Sequence, residues 1–280
     1  MKTNPLVSII IPVYNEEKVI TGCLESLAGQ NYKNTETIIV DDGSSDKTLN
    51  LVRQFKVQVL EQKHLGPGVA RNLGATKAKG EILVFVDADM TFDRDFVTDL
   101  TAPIVKGETI GTFSKNEMVQ NSDNPISICW NVNRNLPKDR MVSPNSPNHA
   151  QVYRAILKDK FESVGGFDTD GQYIDDWSLS RKLKTQSTMA NGAKYFHTNP
   201  STFDEVWKQA RWIGKNDFIS GSLKKRIVSL VRYCFPVSIL IGVVKSIKYQ
   251  KPLFIIFKIY YDFATTVSIL ESSFSKNKSK

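Results

Sequence analysis

Short continuous apolar runs alternate with amphipathic segments over residues 7–104. The runs at residues 7–12, 37–40, 57–60 and 82–86 are rich in β-branched side chains, which is typical of strands buried on both faces of a parallel sheet. Apolar positions three and four residues apart predict helices at residues 17–30, 47–55, 69–78 and 92–104. This alternation predicts an α/β fold with a mainly parallel, Rossmann-like sheet and helices on both faces.

Mostly polar residues follow three of the predicted strands. They are Pro12, which ends the first strand, Tyr14, Asn15 and Glu16 in the loop after it, Asp41 and Asp42 after the second strand, and Asp87, Ala88 and Asp89 after the fourth. The carboxyl ends of parallel strands meet at one edge of a sheet, where ligands bind. Asp87 and Asp89 are spaced to face one hard cation, and their oxygen atoms suit Mg²⁺ or Mn²⁺. A metal-free, Asp-rich turn is the alternative.

Residues 66–72 form a glycine-rich loop that opens a helix on the same side of the predicted sheet. A helix N-terminus presents free N–H groups that favour a phosphate, and Gly68 lies in that first turn. Arg71 adds a guanidinium suited to a diphosphate. The segment is not a Walker loop, because Gly-Lys-Ser/Thr is absent, and it does not follow the first strand as a dinucleotide fingerprint does.

Charge is unevenly distributed along the 280 residues. Residues 206–280 carry 14 Lys and Arg against 3 Asp and Glu, whereas residues 1–205 carry 23 against 26. The basic part also holds the longest apolar runs, at residues 227–244 and 253–270. A basic and apolar segment indicates contact with anionic lipids and gives no reason to expect nucleic acid.

Each of the two runs is barely as long as the roughly 20 residues that cross a bilayer, and each contains charged residues. The basic linker between them would lie outside if they spanned as a hairpin, against the positive-inside tendency. The sequence therefore favours two amphipathic helices lying on the cytoplasmic leaflet, through residues 223–272. A short spanning hairpin, or a homodimer contact through the same apolar faces, is the alternative.

Cysteine usage and the N-terminus indicate a cytoplasmic location. Cys23, Cys129 and Cys234 lie far apart without a CxxC pair, which suggests a reducing compartment and argues against a disulfide framework or a zinc site. Residues 1–5 lead directly into the first predicted strand, without a signal peptide. We therefore expect the cell membrane, on its cytoplasmic side.

Six segments occur in an order typical of one enzyme family. They are residues 12–17, 41–44, 66–72, 87–89, 165–168 and 174–183. Over residues 6–185 the chain resembles family-2 glycosyltransferases, which are inverting enzymes with a nucleotide-diphospho-sugar-binding GT-A fold. The resemblance implies a UDP- or GDP-sugar donor, with Mn²⁺ or Mg²⁺ as cofactor.

The resemblance also implies roles for single residues. Tyr14 matches the aromatic residue that lies against the nucleobase, and Asp42 matches the acid that reads the base edge, with Asp41 supporting it. Asp89 matches the direct metal ligand, and Asp87 its partner toward the ribose or the metal.

The catalytic acids are implied in the same way. Asp176 matches the catalytic base, and Asp175 stands where the family usually has Glu. His197, at the end of a predicted short strand at residues 193–197, is a further candidate metal ligand. Arg211 and Trp212 belong to a segment resembling the Gln-x-x-Arg-Trp motif of membrane-bound relatives, with Lys208 in place of its Gln, and are candidates for donor binding.

These observations predict two parts, a GT-A catalytic domain at residues 1–205 and a membrane-associating helical segment at residues 206–280. The predicted activity is metal-dependent, inverting transfer of a sugar to an acceptor hydroxyl or phosphate, on a lipid-linked or cell-envelope glycan. A nucleotidyltransferase-like enzyme and a non-catalytic nucleotide-sugar-binding module are the alternatives. The acidic loop after the first strand disfavours the former, since nucleotidyl transfer normally uses a Gly-rich, cationic loop there.

Overall fold

The computed structural model of the chain describes residues 4–169, 175–219, 228 and 230–274, and this description does not extend to the side chains of residues 175–176, 216–219 and 272–274. The strands are β1 (Val7–Val13), β2 (Thr35–Asp41), β3 (Gln58–Glu61), β4 (Ile82–Phe85), β5 (Thr91–Phe92), β6 (Gly111–Phe113), β7 (Asn116–Val119), β8 (His149–Ala150), β9 (Ala155–Leu157), β10 (Ser187–Met189) and β11 (Lys194–His197). The composition of β1, β2 and β4 is apolar and rich in β-branched residues, as expected from the sequence.

The helices follow in the same chain order. They are α1 (Ile20–Ala28), α2 (Thr48–Val52), α3 (Pro67–Lys77), α4 (Phe96–Val105), α5 (Pro125–Arg134), α6 (Lys158–Ser163), α7 (Asp175–Leu183), α8 (Phe203–Ile219), α9 (Phe235–Tyr249) and α10 (Leu253–Phe274). Pro67 and Pro125 occupy first-turn positions, where their missing N–H has no partner to lose.

The central sheet confirms the expected α/β architecture. Its strand order is β3-β2-β1-β4-β9-β6-β10-β8, and β1 pairs in parallel with both β2 and β4. Alternate residues of β1 face opposite layers: Ile9 and Ile11 pack in the cluster that includes residues of α1 and α4, and Ile10 packs with residues of α3. Helices therefore cover both faces, and the carboxyl ends of β1, β2 and β4 lie at one edge.

Two sequence-based boundaries were wrong. Pro12 does not end β1, which continues to Val13 with Pro12 opposite Val40 of β2. The paired register with β4 ends at Ile10, so the missing N–H of Pro12 falls on the side where no ladder bond is needed. The fourth helix begins at Phe96, because Phe92 pairs with Tyr195 in a small sheet of order β5-β11-β7.

Packing divides the chain into two compact units. The sheet unit comprises residues 1–118 and 142–197, and the helical unit comprises residues 119–141 and 198–280. The helical unit therefore takes in α5 as well as α8, α9 and α10. The expected division at residues 205 and 206, which separates a catalytic from a membrane-associating part, stays a prediction.

The helical unit has an aromatic core of its own. Trp130 of α5 lies edge-on to Phe257 and Tyr261 of α10, with ring centroids 6.4 and 5.6 Å apart. Within the described residues, the segment Leu253–Glu271 is long and apolar enough to cross a bilayer by length and composition, and 50% of its most apolar stretch is buried in the protein. A buried core helix meets the same criterion, so this segment alone does not decide how the unit meets a membrane.

Candidate active site

The first residue after β2, Asp42, has a carboxylate that accepts hydrogen bonds from a neighbouring loop. Asp42 is buried, and its Oδ1 accepts hydrogen bonds from Leu65 N at 2.8 Å and from Gln62 Nε2 at 2.7 Å, while Oδ2 accepts from Gly66 N at 2.9 Å. The Nδ1 atom of His64 lies 2.9 Å from the same Oδ2. Both Asp42 oxygens are thus engaged by residues 62–66, and a base-reading role for Asp42 stays a prediction.

An aromatic pair stands beside Asp42. The rings of Tyr14 and His64 are stacked with centroids 4.0 Å apart and an interplanar angle of 27°. Tyr14 remains 43% exposed, so its ring presents accessible area for a planar ligand. The sequence analysis predicted Tyr14 here and missed His64, because nothing in the spacing along the chain links a loop histidine to an aromatic 50 residues earlier.

The first two loops are fastened to each other by backbone and side-chain bonds. Asn15, at a φ of 57°, donates its N–H to Ser44 Oγ at 2.9 Å and accepts from Ser45 N at 2.8 Å. Asp41 Oδ2 accepts from Gly43 N and Ser44 N at 3.2 and 3.1 Å. Asp41 therefore shapes the turn, and its buried Oδ1 has no hydrogen-bond partner within the described part of the chain.

Three other carboxylates affect the pKa of Glu16, an acid of the loop after β1. Burial, followed by the charges of Asp89, Asp46 and Asp87, raises the pKa of Glu16 to about 7. A carboxyl group with this pKa is partly protonated near neutral pH. A cation placed among these acids would favour its charged form and lower its pKa.

Two arginines hold the first acid after β4. Arg71 of α3 donates from Nη2 to Asp87 Oδ1 at 2.8 Å, and Arg154 donates from Nη1 to Asp87 Oδ2 at 3.2 Å. Burial alone would raise the pKa of Asp87, but Arg154 and Arg71 hold it well below its usual range. Both Asp87 oxygens accept hydrogen bonds from guanidinium groups, and a role of Asp87 toward the ribose or the metal stays a prediction. The sequence analysis missed Arg154, which lies 67 residues from its partner.

The second acid after β4 faces a histidine. The side chain of Asp89 is 56% exposed, and its Oδ1 lies 3.4 Å from Nε2 of His197. On the other side of the ring, His197 Nδ1 lies 2.5 Å from Glu117 Oε1, and Tyr195 donates its hydroxyl to Glu117 Oε2 at 3.1 Å. The structure thus brings Asp89 and His197 together, and their role as metal ligands stays a prediction.

Charge partners set the protonation of this group. Burial alone would lower the pKa of His197, but its hydrogen bonds with Asp89 and Glu117 raise it to about 9. Burial likewise would raise the pKa of Glu117, and the hydrogen bond with His197 lowers it. Without a cation, His197 is therefore an imidazolium between two carboxylates.

The residues present fit a hard divalent cation with an incomplete protein shell. Among the described residues, no three His, Cys, Asp or Glu side chains are grouped to hold an ion. Asp89 offers an exposed carboxylate, and His197 offers Nε2 once Nδ1–H is held by Glu117. Mg²⁺ and Mn²⁺ commonly take one or two protein ligands and complete their shell with water and substrate phosphates.

The glycine-rich loop before α3 has a backbone conformation that favours glycine. Gly66 precedes α3 with a φ of +96°, a left-handed conformation that strains any side-chain-bearing residue. Gly68 lies buried in the first turn of α3, and Ala88 is buried between the two acids after β4. The binding of a phosphate at the N-terminus of α3 stays a prediction.

The predicted catalytic acids begin a helix. Asp175 and Asp176 are the first residues of α7, and their side chains lie outside the described part of the chain. Carboxylates in a first helical turn are favoured by the helix dipole. Trp177, the next residue, is half exposed. The roles of both acids stay predictions.

The last two predicted donor-binding residues belong to the helical unit. Arg211 of α8 forms an ion pair with Glu271 of α10, and its carbonyl accepts from Ser268 Oγ at 2.6 Å. Its guanidinium lies 5.9 Å from the ring centroid of Trp207, and Trp212 is partly exposed. All of these contacts lie within the helical unit. A role of Arg211 and Trp212 in donor binding stays a prediction.

Known proteins with similar sequences indicate the family of this chain. The sequence profile described as Glycosyl transferase family 2 matches residues 8–165. The poly(ribitol-phosphate) beta-N-acetylglucosaminyltransferase TarS of Staphylococcus aureus (strain Mu50 / ATCC 700699) is 35% identical over 163 residues, which are 54% of this chain and 28% of that protein. The chain therefore matches less than a third of that relative's length.

Solved structures share the fold. A mannosyltransferase, PcManGT from Pyrobaculum calidifontis, in complex with GDP-Man and Mn²⁺, superposes with a TM-score of 0.61 at 18% identity, covering 95% of this chain and 87% of that one. Residues 1–349 of S. aureus TarS, in complex with UDP-GlcNAc, give a TM-score of 0.56 at 16% identity, covering 96% and 91%. At these identities the likeness concerns the fold, and it confirms the GT-A architecture expected from the sequence.

Proposed function

Because the chain belongs to glycosyl transferase family 2, whose profile matches more than half of it, we propose that it transfers a sugar from a nucleotide-diphospho-sugar to an acceptor in glycan biosynthesis. The donor is a UDP- or GDP-sugar, and the transfer is inverting and dependent on Mn²⁺ or Mg²⁺. The observation that carries the proposal is the polar cluster at the carboxyl edge of β1, β2 and β4. It joins a stacking aromatic, a phosphate-accepting helix start, paired arginines and an Asp–His pair.

Each part of the cluster suits one part of the donor. Tyr14, beside His64 and Asp42, offers a ring face to the base. The first turn of α3, with Arg71 and Arg154, offers N–H donors and positive charge to the diphosphate. This division places the base at the end of β2 and the diphosphate near the end of β4.

Charge balance explains the need for a cation. The side chains of Arg71, Arg154 and His197, all charged, are matched by those of Asp87, Asp89 and Glu117. A diphosphate entering this neutral group would lie beside the exposed Asp89 carboxylate, which would repel it. A divalent ion on Asp89 and on Nε2 of His197, which would give up its Nε2 proton to bind the ion, would leave one net positive charge and stabilise the departing diphosphate.

The transfer itself needs one base. The acceptor oxygen attacks the anomeric carbon from the face opposite the diphosphate, and the bond from that carbon to the diphosphate oxygen breaks with its electron pair. Asp176, at the start of α7, takes the acceptor proton. Arg71 and Arg154 hold the leaving nucleoside diphosphate. One displacement inverts the configuration at the anomeric carbon.

The acceptor is a lipid-linked or cell-envelope glycan. Two observations support this choice: the basic, apolar segment at residues 206–280, and the similarity to TarS, a poly(ribitol-phosphate) beta-N-acetylglucosaminyltransferase. Attachment to the cytoplasmic leaflet through residues 223–272 would hold the chain where lipid-linked acceptors are concentrated. Vesicle sedimentation tests this choice: the protein and the lipid-linked acceptors should be recovered on the same vesicles.

A donor panel tests the proposal. Purified protein is incubated with UDP-, GDP- and dTDP-sugars and Mn²⁺, with or without membrane lipid extract, and the products are identified by mass spectrometry. We expect one donor to yield nucleoside diphosphate, slowly alone and faster with acceptor, and Asp89→Asn to abolish both. Sugar 1-phosphate condensing with a nucleoside triphosphate would instead indicate nucleotidyl transfer. Donor binding without any product would indicate a binding module.

A further inference from the structure

The burial pattern of α9 is the reverse of that of a helix on a water-facing surface. Its buried residues are Ser238, Gly242 and Ser246, spaced four apart. Its exposed residues are mostly large and apolar: Phe235, Ile239, Leu240, Val243, Val244 and Ile247. Leu240 is 64% and Ile247 is 74% exposed. An amphipathic helix of a protein surrounded by water turns such side chains inward.

The inward side of α9 has a polar reason for facing α10. Ser238 Oγ donates to Asp262 Oδ2 at 2.6 Å, and Lys258 Nζ donates to Asp262 Oδ1 at 2.8 Å, with both charged side chains buried. A Cβ on Gly242 would lie only 3.3 Å from Ile255 Cα, so the two helices approach closely there. The α9–α10 contact is therefore specific and satisfied, and it holds the apolar face of α9 outward.

The next helix extends the same surface. Ile256, Phe263 and Leu270 are the exposed large apolar residues of α10, and they recur every seven residues along one stripe. Monomeric proteins in water rarely expose contiguous apolar surface on this scale without a function. We call this surface, formed by the exposed apolar residues of α9 and α10, the outer apolar face.

The charges near α9 indicate which partner covers the outer apolar face. Exposed cations stand at both ends of α9, Arg232 before it and Lys248 and Lys251 at its end, and residues 206–280 carry a net charge of +11. A second copy of the chain would bring these like charges together, whereas anionic lipid headgroups would neutralise them. An apolar centre with basic ends fits an anionic bilayer surface.

Helix length and packing decide between lying in a bilayer and crossing it. The 15 residues of α9 span roughly 22 Å at 1.5 Å per residue, short of the roughly 30 Å hydrocarbon layer. Half of the apolar stretch of α10 is buried in the protein. Its neighbour α8 exposes the Asp204–Lys208 pair to water. The shortness of α9 and the partial burial of α10 favour a position of both helices at the bilayer surface.

We propose that the outer apolar face inserts into the interfacial layer of an anionic bilayer, with α9 lying parallel to the membrane. The inference rests on the proposed function and deepens it, since it assigns the membrane contact to one surface formed by α9 and α10, in place of a spanning hairpin. Leu240, Val244 and Ile247 enter the acyl region, and Lys248 and Lys251 contact headgroup phosphates. The buried Lys258–Asp262 pair stays out of lipid.

Site-specific fluorescence tests this assignment on the full chain. Leu240→Trp and Ile247→Trp place probes on the outer apolar face, and Leu65→Trp places a matched probe at an exposed apolar position of the sheet unit. Vesicles of phosphatidylglycerol and phosphatidylcholine, with and without brominated acyl chains, are titrated in. Relative to wild type, we expect a blue shift and bromine quenching for positions 240 and 247 and neither for position 65. Equal behaviour at all three positions would overturn the proposal.

A loss-of-binding variant provides the second arm. Leu240→Gln/Val244→Gln/Ile247→Gln should lower the vesicle partition coefficient by about tenfold or more, since three apolar side chains no longer enter lipid. Its urea midpoint should match wild type, because all three side chains are exposed. Retained binding, or wild-type dimers that bury position 247 without vesicles, would overturn the proposal. Donor hydrolysis is measured separately: its absence with vesicle binding intact would reject the proposed function alone.

Discussion

The sheet unit and the helical unit distribute polar groups in opposite ways. In the sheet unit, an apolar frame of strands and helices is buried, and charged residues such as Asp89 are displayed at one edge. In the helical unit, Lys258 and Asp262 are buried together, and apolar residues such as Leu240 and Ile247 are displayed. The comparison indicates that the two units are built for different surroundings, a water-filled site for charged ligands and a lipid surface.

The largest effect should come from the buried charges of the helical unit. Lys258→Met leaves Asp262 buried without its ammonium partner, and we expect a loss of about 3–5 kcal/mol in the free energy of unfolding. Guanidinium unfolding followed by tryptophan fluorescence measures it. Lys208→Met, which removes a cation from the exposed pair with Asp204, should leave the free energy of unfolding close to that of wild type.

The double variant Lys258→Met/Asp262→Leu sharpens this test. Removing both charges leaves no unpaired ion, so most of the lost stability should return. If the single variant is as stable as wild type, the buried pair does not organise the interior of the helical unit, and the contrast between the units fails.

In the sheet unit, substitution of the proposed catalytic base should lower the turnover number. Asp176→Asn keeps the size of the side chain but cannot accept a proton, so turnover should fall by about 10²-fold or more while the donor dissociation constant is unchanged. Initial-rate kinetics and calorimetry measure the two quantities, with the exposed Asp159→Asn as control. Near-normal turnover in Asp176→Asn, with a loss in Asp175→Asn, would move the base to Asp175.

A smaller effect is expected at Glu117. Its carboxylate holds Nδ1 of His197 and leaves Nε2 directed at Asp89, an arrangement that orients imidazole ligands of metals. Glu117→Gln should weaken Mn²⁺ binding by about tenfold, measured by the electron paramagnetic resonance signal of free Mn²⁺. Glu108→Gln, at an exposed position of the same unit, should leave the affinity unchanged. Equal affinities in both variants would remove Glu117 from the metal site.

The sequence anticipated the scaffold better than the contacts on it. Buried strands announce themselves through continuous apolar runs, and the acids after β1, β2 and β4 then fall at one edge by topology alone. His64, Arg154 and Glu117 gave no such signal, because each meets its partner across a long stretch of chain. Glu117 lies 80 residues from His197, and only the folded pairing of β5, β11 and β7 brings that region together.

The apolar run at residues 227–244 also shows how far the sequence alone can predict the structure. Its composition indicated lipid, but which side of α9 faces outward depends on Asp262 and Ile255 of another helix. Periodicity alone would have buried the large apolar residues of α9 and exposed Ser238 and Ser246. In the folded protein, contact with the buried Lys258–Asp262 ion pair of α10 turns Ser238 inward and leaves the large apolar residues of α9 exposed.

The smallest predicted effect concerns pH. The pKa of Glu16 is about 7 in the folded protein and 4.5 for an unperturbed Glu, so the folded state binds more protons between these values. The free energy of unfolding should therefore fall as pH rises through that window. In EDTA, Glu16→Gln should be more stable than wild type by about 1 kcal/mol above pH ~7.5 and equal to it near pH ~4, a figure reduced for partial exposure. Identical pH profiles would contradict the crowding of acids at this edge.

Calorimetric titration of the donor with and without Mn²⁺ tests the central claim most directly, because the sheet edge is proposed to bind the diphosphate through a cation on Asp89 and His197. The donor identified by the panel should bind wild type at least about tenfold more weakly in EDTA than in Mn²⁺. Asp89→Asn should bind it weakly in both. Equal wild-type affinity in EDTA and in Mn²⁺ would contradict the account.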